Sequence, residues 1–237
     1  MNTVESTLHI GVDEAGRGPV LGDLVVGLVV LNNQQYVYLK NLGIRDSKEL
    51  TPIQREYFVN SIYENSIIVH TTYLPPLVID LNRLNRLLAK TFVSSINIAL
   101  TILRKFFDEN TIVKIYTDEV TGYSDSIKAM INRKIFGNID IVVEPKADKK
   151  YTVVSAASIV AKYYRDRNLY LSKKIYGNFG SGYPSDQRTR LWIVENYNIY
   201  RDPPVIIRRS WSTLSVLAPK WYSSVKHGKS ILNYLER

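Results

Sequence analysis

Short apolar runs of strand length alternate with segments of helical periodicity along this chain, and that alternation constrains the fold more than any other feature. The predicted strands are residues 8–12, 23–31, 66–73, 111–117 and 139–143. The predicted helices are residues 51–64, 82–107, 124–134, 153–174 and a segment that ends near residue 197. Strands that alternate with helices indicate an α/β protein, with a mixed sheet flanked by helices.

The 237 residues are enough for one main domain and a small appendage. The Pro203-Pro204 pair marks a boundary, so we expect a main domain at 1–200 and an appendage at 201–237. The absence of cysteine excludes a disulfide scaffold, a zinc–thiolate site and a cysteine nucleophile. The apolar run at residues 24–31 is too short to cross a bilayer, and the N-terminus lacks a signal-peptide pattern. We therefore expect a cytoplasmic monomer with no membrane partner.

The positive charge is concentrated in the second part of the chain. The net charge is +9, yet residues 144–237 carry 17 basic and 7 acidic side chains against 14 basic and 15 acidic in residues 1–143. Aromatic residues such as Trp192 and Trp221 lie among these basic residues. Cationic and aromatic side chains together favour nucleic-acid binding. The alternative is a solvated basic face above core aromatics.

Acidic residues follow three of the predicted strands. Asp13 and Glu14 follow the first, Asp118 and Glu119 follow another, and Asp148 follows a third. Carboxylates at strand ends of an α/β sheet face the crevice where ligands bind, and their mutual repulsion favours a bound cation such as Mg²⁺. The alternative is that each acid only forms a turn or caps a helix.

The turn after the first strand is the Gly16-Arg17-Gly18 triplet. Because neighbouring side chains point to opposite faces of a strand, Asp13 and Glu14 can serve one metal site only if the backbone bends there. The two glycines permit such a bend and a close approach to a ligand, and the Arg17 guanidinium suits a phosphate.

Five sequence blocks, taken together and in this order, resemble one known family. They are Asp13-Glu14-Ala15-Gly16-Arg17-Gly18-Pro19, Asp46-Ser47-Lys48-Glu49-Leu50-Thr51, Lys146-Ala147-Asp148 with residues 153–162, Gly180-Ser181-Gly182-Tyr183-Pro184-Ser185-Asp186, and Arg208-Arg209-Ser210-Trp211. The family is ribonuclease HII in its archaeal form. The resemblance implies a ribonuclease H-like fold with a helical C-terminal appendage that contributes to substrate binding.

The resemblance also implies an activity and a catalytic set. The activity is cleavage of RNA paired with DNA and on the 5′ side of single ribonucleotides in duplex DNA, giving 3′-hydroxyl and 5′-phosphate ends. The implied catalytic and metal-binding residues are Asp13, Glu14, Asp118 and Asp148, with two Mg²⁺ or Mn²⁺ ions. Asp118 is placed by context, and we prefer it to Glu119 because it comes first after the apolar run.

The implied substrate-binding residues fall into two groups. Gly16, Arg17 and Gly18 would contact the 2′-hydroxyl, and Tyr183 would pack on the adjoining deoxyribose. The expected phosphate contacts are Ser47, Lys48, Lys162 and Arg165. Thr152 and Gln187 depart from the family pattern, which often has proline at both positions.

The C-terminal tail, residues 228–235, loosely resembles a sliding-clamp-binding box. Its anchors would be Ile231, Tyr234 and Leu235, although Gly228 replaces the usual leading glutamine. The alternative is an amphipathic helix that packs on its own domain. Two other interpretations of the whole chain are a junction-resolvase-type nuclease and a non-catalytic RNA-binding module.

Overall fold

The computed structural model describes residues 7–44 and 50–224. The strands are β1 (Thr7–Ala15), β2 (Leu24–Asn32), β3 (Ile68–Leu74), β4 (Ile112–Asp118) and β5 (Asn138–Glu144). The helices are α1 (Asn33–Asn41), α2 (Pro52–Glu64), α3 (Pro76–Asp80), α4 (Leu84–Leu103), α5 (Ser124–Met130), α6 (Ala147–Lys150), α7 (Thr152–Tyr176), α8 (Gln187–Ile199) and α9 (Thr213–Leu217).

The five strands form one mixed sheet in the order β3-β2-β1-β4-β5. β1 runs antiparallel to β2 and parallel to β4, and β4 runs parallel to β5. The predicted α/β class with a mixed sheet is therefore confirmed. β1 and β2 are almost entirely buried because their valine, leucine and isoleucine side chains are covered on both faces.

Two glycines bring α7 close to the sheet. A Cβ atom on Gly11 would collide with the backbone of Val153, and one on Gly27 would collide with the backbone of Ala157. Small side chains on the facing side of α7, including Ala156, Ala157 and Ala161, are fully buried there. The first half of α7 therefore lies directly against β1 and β2, on the face that carries Gly11 and Gly27.

Helix α4 is the one helix of the described residues that is both long and strongly apolar. Its length and its mean hydropathy of 1.4 would suffice for a membrane span, but 56% of the apolar window is buried inside the protein. Burial of this kind is typical of a core helix, and residues such as Phe92 and Ile96 are fully inaccessible to solvent.

The described chain divides into two compact units. Unit 1 contains the described parts of residues 1–15, 25–72 and 88–164, and unit 2 contains those of residues 16–24, 73–87 and 165–237. A cluster including Val29, Val154 and Val160 forms a core in unit 1. Trp192 and Trp221 are buried in the core of unit 2, so these two rings are core side chains. The predicted boundary at residue 200 differs from this division and stays a prediction.

Candidate active site

Acidic side chains of unit 1 meet at the carboxyl edge of the parallel strands. The register pairs Val12 of β1 with Thr117 of β4, so Asp13 and Asp118 occupy the next position along the two strands. Asp118 is in turn paired with Glu144 at the end of β5. Three neighbouring strands therefore each place a carboxylate at the same edge of the sheet.

Asp13 is buried, with 5% of its surface exposed. Its carboxylate accepts a hydrogen bond from the Glu14 amide at 2.8 Å and another from the Ser158 hydroxyl on α7. Burial raises the pKa of Asp13 well above its usual value, and the negative charges of Glu14 and Asp118 raise it further. A cation at this position would relieve both the desolvation and the repulsion.

The backbone at Asp13 and Glu14 does not bend as the sequence suggested. We predicted that the first strand ends at residue 12, but β1 continues to Ala15, with Asp13 paired to Gly27 and Glu14 to Val26 of β2. The extended pairing keeps the strand regular, so Asp13 shares the α7 face with Gly27, and Glu14 leaves the strand on the opposite face. The Glu14 charge nonetheless raises the pKa of Asp13, so the two carboxylates act on each other at this strand edge without a bend. The turn comes later, at Gly16, where φ is +94°.

Asp118 and Asp148 are connected through the backbone. Asp118 accepts a hydrogen bond from the amide of Ala147 at 3.2 Å, which places its carboxylate beside the residue preceding Asp148. The competing candidate, Glu119, is exposed. These positions support Asp118 as the acid that belongs with Asp13.

Asp148 lies inside the short helix α6, after β5 and before α7, in agreement with its predicted position past a strand. It is 4% exposed, and its carbonyl accepts a hydrogen bond from the Ser155 hydroxyl on α7. The helix begins after Lys146, which has a positive φ of 59°. Strained backbone of this kind is concentrated at functional sites, where the surrounding structure holds it in place.

Glu144 is an acid at this edge that the sequence analysis did not select. Its Oε1 atom lies 3.0 Å from the Lys150 ammonium. The hydrogen bond from Lys150, followed by one from Tyr151, lowers the pKa of Glu144. Because Lys150 already balances its charge, Glu144 is a weaker candidate for a cation ligand than Asp13.

The donor chemistry at this edge fits a hard divalent cation, since carboxylate oxygens are the ligands that Mg²⁺ and Mn²⁺ prefer. Across residues 7–44 and 50–224, no group of three or more acidic, histidine or cysteine side chains is already placed to hold one ion. The acids are thus coupled by charge at one strand edge but do not form a closed coordination shell.

Unit 2 begins with the Gly-Arg-Gly loop, which we define as Gly16, Arg17 and Gly18. A Cβ atom on Gly16 would lie 2.8 Å from the Asp23 carbonyl oxygen and 2.8 Å from the Arg165 Nε atom. Glycine is therefore required both by the positive φ and by the space. The Arg17 guanidinium donates to the Asn85 side-chain oxygen at 2.7 Å. No sequence pattern connected Asn85 with this loop.

Tyr183 and Arg165 form the surroundings of the loop in unit 2. A Cβ atom on Gly18 would lie 3.4 Å from the Tyr183 ring, which is 41% exposed. The Arg165 guanidinium stacks on the same ring at 5.4 Å. Arg165 is itself only 3% exposed, a position that favours support of the loop, and its expected contact with a phosphate stays a prediction.

Of the other three expected phosphate contacts, the structure describes one. Lys162 is half-buried on α7, one turn beyond Ser158, so the two side chains lie on the same helix face. The i, i+4 spacing within block 153–162 was the available signal for Ser158, whose role the sequence analysis missed. Ser47 and Lys48 lie outside the described residues.

A model of one protein family matches residues 10–214, which include all four acids and the Gly-Arg-Gly loop. The family is described as ribonuclease HII. This chain belongs to the ribonuclease HII family. It is therefore a ribonuclease H, a hydrolytic endonuclease that acts on RNA–DNA hybrids. Membership removes the resolvase and the non-catalytic RNA-binding module as interpretations of the chain.

Individual relatives agree with this assignment. The chain is 40% identical over 205 residues to ribonuclease HII of Pyrococcus horikoshii, an alignment that covers 86% of this chain and 89% of the relative. The crystal structure of ribonuclease H2 from Pyrococcus horikoshii OT3 superposes with a TM-score of 0.77 at 37% identity, covering 90% of this chain and 98% of that one. Ribonuclease HII from Archaeoglobus fulgidus, solved as a complex with PCNA, gives a TM-score of 0.70 at 30% identity, covering 95% and 99%.

Proposed function

We propose that this ribonuclease HII cuts on the 5′ side of a ribonucleotide embedded in duplex DNA, as well as along the RNA strand of hybrids. The observation that carries the proposal is the order of residues at the end of β1. Asp13 and Glu14, whose charges act on each other, are followed after one residue by the tightly constrained Gly-Arg-Gly loop. Hydrolytic residues and ribose-contacting residues are thus neighbours in the chain.

The acids Asp13, Glu14, Asp118 and Asp148 would hold two divalent cations in this proposal. Such cations would lower the pKa of an attacking water and stabilise the leaving 3′-oxygen, which gives 3′-hydroxyl and 5′-phosphate products. The protein itself orients the carboxylates that would hold these cations. The Glu14 amide and the Ser158 hydroxyl fix the Asp13 carboxylate, and the Ala147 amide fixes that of Asp118.

Selection for ribose is proposed for the Gly-Arg-Gly loop. The 2′-hydroxyl both donates and accepts hydrogen bonds and is the group that distinguishes RNA from DNA at a given position. Asn85 holds the Arg17 guanidinium by one of its donors, which restricts the directions in which the others point. The exposed face of Tyr183 beside Gly18 offers a flat apolar surface for a deoxyribose.

Basic side chains on the surface of unit 2 are proposed to hold the duplex backbone without reading its sequence. Within residues 165–224, the exposed members are Arg167, Lys174, Arg188, Arg190, Arg201 and Lys220. Arg165 and Arg208 do not belong to this set, because both are buried. Part of the positive charge of this region therefore lies inside the protein and is not available to bind the duplex.

The proposed function is tested with four duplexes of one sequence: all-DNA, all-RNA, RNA–DNA hybrid, and DNA with a single ribonucleotide. In Mg²⁺ or Mn²⁺ we expect cleavage of the hybrid and of the single-ribonucleotide duplex, and none after chelation of the metal. Failure to cut the single-ribonucleotide duplex under conditions that cut the hybrid would contradict the proposal.

Arg17→Ala is expected to lower kcat/KM on the single-ribonucleotide duplex by about 10- to 100-fold, because a charged hydrogen bond is worth roughly 1.5–3 kcal/mol. Affinity for the all-DNA duplex should fall less than about threefold, the effect expected for one exposed charge. The matched control is Arg86→Ala, an exposed arginine of the same unit. Equal losses on both duplexes would show that Arg17 is only a backbone contact.

The tail at 228–235, which lies outside the described residues, is proposed to bind a sliding clamp. The structure of the Archaeoglobus fulgidus relative as a PCNA complex supports this proposal. Removal of residues 228–237 should abolish capture by the clamp and leave hybrid cleavage unchanged, as measured by pull-down and by turnover. Capture that survives the truncation would place the contact elsewhere.

We also propose that the enzyme is a cytoplasmic monomer.

A further inference from the structure

The carbonyl groups of the Gly-Arg-Gly loop are bound by side chains that lie almost two hundred residues further along the chain, in the same unit. The Arg208 guanidinium donates through Nη1 to the Arg17 carbonyl at 3.3 Å and through Nε to the Gly22 carbonyl at 2.8 Å. The Trp211 indole N–H donates to the Gly18 carbonyl at 2.9 Å. Two consecutive carbonyls of the loop, Arg17 and Gly18, are therefore held in fixed directions.

Backbone pairing fixes the same segments to each other. The Gly22 amide donates to the Ile206 carbonyl at 2.8 Å, and the Arg208 amide donates to the Val20 carbonyl at 2.9 Å. Asp80 in turn accepts three hydrogen bonds, from the amides of Arg209 and Ser210 and from the Ser210 hydroxyl. The segment that carries Arg208 and Trp211 is thus anchored independently of the loop that it holds.

The bond from Arg208 also sets the direction of the neighbouring amide. Because a peptide unit is planar and trans here, the Gly18 N–H points away from the Arg17 carbonyl. The carbonyl faces the buried guanidinium, so the N–H faces the opposite side, and Gly18 itself is exposed. A backbone donor in a fixed direction at an exposed glycine can meet an oxygen of a bound sugar directly.

The burial of the charged Arg208 side chain is unfavourable for the free energy of folding. It is completely buried, its Nη2 atom has no hydrogen-bond partner, and its guanidinium lies 4.9 Å from the centre of the Trp211 ring. Burial, together with repulsion from Arg165, lowers the pKa of Arg208 to about 9. A buried charge is often no better for stability than an apolar residue of similar volume. Stability alone is therefore a poor reason for an arginine here.

We propose that Arg208 and Trp211 are positioning residues for ribose selection, which orient the Gly-Arg-Gly loop by holding the carbonyls of Arg17 and Gly18. This inference rests on the proposed contact between that loop and the 2′-hydroxyl. Arg208 is fully buried and Trp211 is half-buried beneath the loop carbonyl that it holds. Each acts through the direction it gives to the loop backbone.

The three tryptophans of the chain provide a matched test. Each indole N–H donates to a backbone carbonyl of unit 2: Trp192 to Tyr176 at 2.8 Å, Trp211 to Gly18 at 2.9 Å and Trp221 to Arg201 at 3.1 Å. Replacement by phenylalanine removes this bond in each case and keeps a ring. Only Trp211→Phe releases a carbonyl of the loop.

Trp211→Phe is expected to lower kcat/KM on the single-ribonucleotide duplex by about 10- to 100-fold, the range expected for a displaced positioning group. Its Kd for the all-DNA duplex and its Tm should change no more than those of Trp192→Phe and Trp221→Phe. Arg208→Lys keeps a charge but replaces the planar fork, which reaches the carbonyls of Arg17 and Gly22 through two different nitrogens, by a single nitrogen on a flexible stem. It should therefore show the same selective loss.

Equal effects of the three tryptophan substitutions on kcat/KM would overturn the proposal and leave Trp211 with a purely structural role. The ribose contact of Arg17 and the positioning role of Arg208 and Trp211 are distinguished by different variants. If Arg17→Ala leaves kcat/KM on the single-ribonucleotide duplex unchanged, the proposed ribose contact is wrong. If Arg17→Ala lowers it and neither Trp211→Phe nor Arg208→Lys does, only the positioning role is wrong.

Discussion

Asp13→Asn is expected to reduce cleavage of both the hybrid and the single-ribonucleotide duplex by at least about 10³-fold, because metal-assisted charge stabilisation is worth several kcal/mol. Asparagine has the shape of aspartate but lacks the charge that a divalent cation requires. The measurement is single-turnover cleavage in saturating Mg²⁺. The matched control is Asp140→Asn, which neutralises an exposed acid on β5 and should keep wild-type turnover.

The same substitution should not destabilise the metal-free protein. The pKa of Asp13 is raised in the folded state, so the stability associated with this group is present at low pH and is lost as the pH rises through the folded pKa. In EDTA, the Tm of Asp13→Asn relative to wild type should therefore increase from acid to neutral pH. Turnover near the wild-type rate in a folded Asp13→Asn protein would contradict the assignment of Asp13 to the catalytic set.

Gly16→Ala is expected to lower kcat/KM on the single-ribonucleotide duplex by about 10²-fold, since displacement of a positioning group by an ångström has effects of that size. The added Cβ would meet the Asp23 carbonyl oxygen at 2.8 Å, and because that neighbour is a backbone atom, either the loop or the backbone at Asp23 must shift. Cleavage kinetics and thermal unfolding of the same preparation provide the measurement.

Gly177→Ala is the control that separates the backbone strain of Gly16→Ala from the displacement of the loop. Gly177 also has a positive φ, of +77°, but a Cβ there would have no neighbour within 4 Å. Its alanine variant should therefore lose only the roughly 1–2 kcal/mol of free energy of unfolding that a left-handed backbone costs a residue with a Cβ, and keep its activity. If both alanine variants lose activity to the same extent, backbone strain rather than loop displacement explains the effect.

The central strands β1 and β2 were predictable from the sequence because strands covered on both faces are continuous apolar runs. Helix α1 was missed because its residues are mostly polar and Leu39 is its buried side chain. The available signal was the reciprocal pair of Asn32 and Gln35, which forms a capping box at its start. The end of β1 was misplaced because pairing with β2 extends the strand through two acidic residues that alone predict a turn.

The residues of the proposed site were predictable to different degrees. Asp13 and the Gly-Arg-Gly loop lie in one continuous block, whereas Asn85, Arg208 and Trp211 reach the loop across separations of 68 to 193 residues. No local pattern encodes such a contact. The burial of Arg165 could not be predicted from the sequence either. No local pattern shows whether an arginine on a basic helix supports a loop or contacts the substrate.

The most direct test of the account is the position of the cut in a DNA duplex that contains one ribonucleotide, with Mg²⁺ as the added metal. We predict a single cut immediately 5′ of the ribonucleotide, leaving a 3′-hydroxyl on one fragment and a 5′-phosphate on the ribonucleotide. A cut on the 3′ side of the ribonucleotide, a 2′,3′-cyclic phosphate product, or cleavage that persists in EDTA would contradict the account.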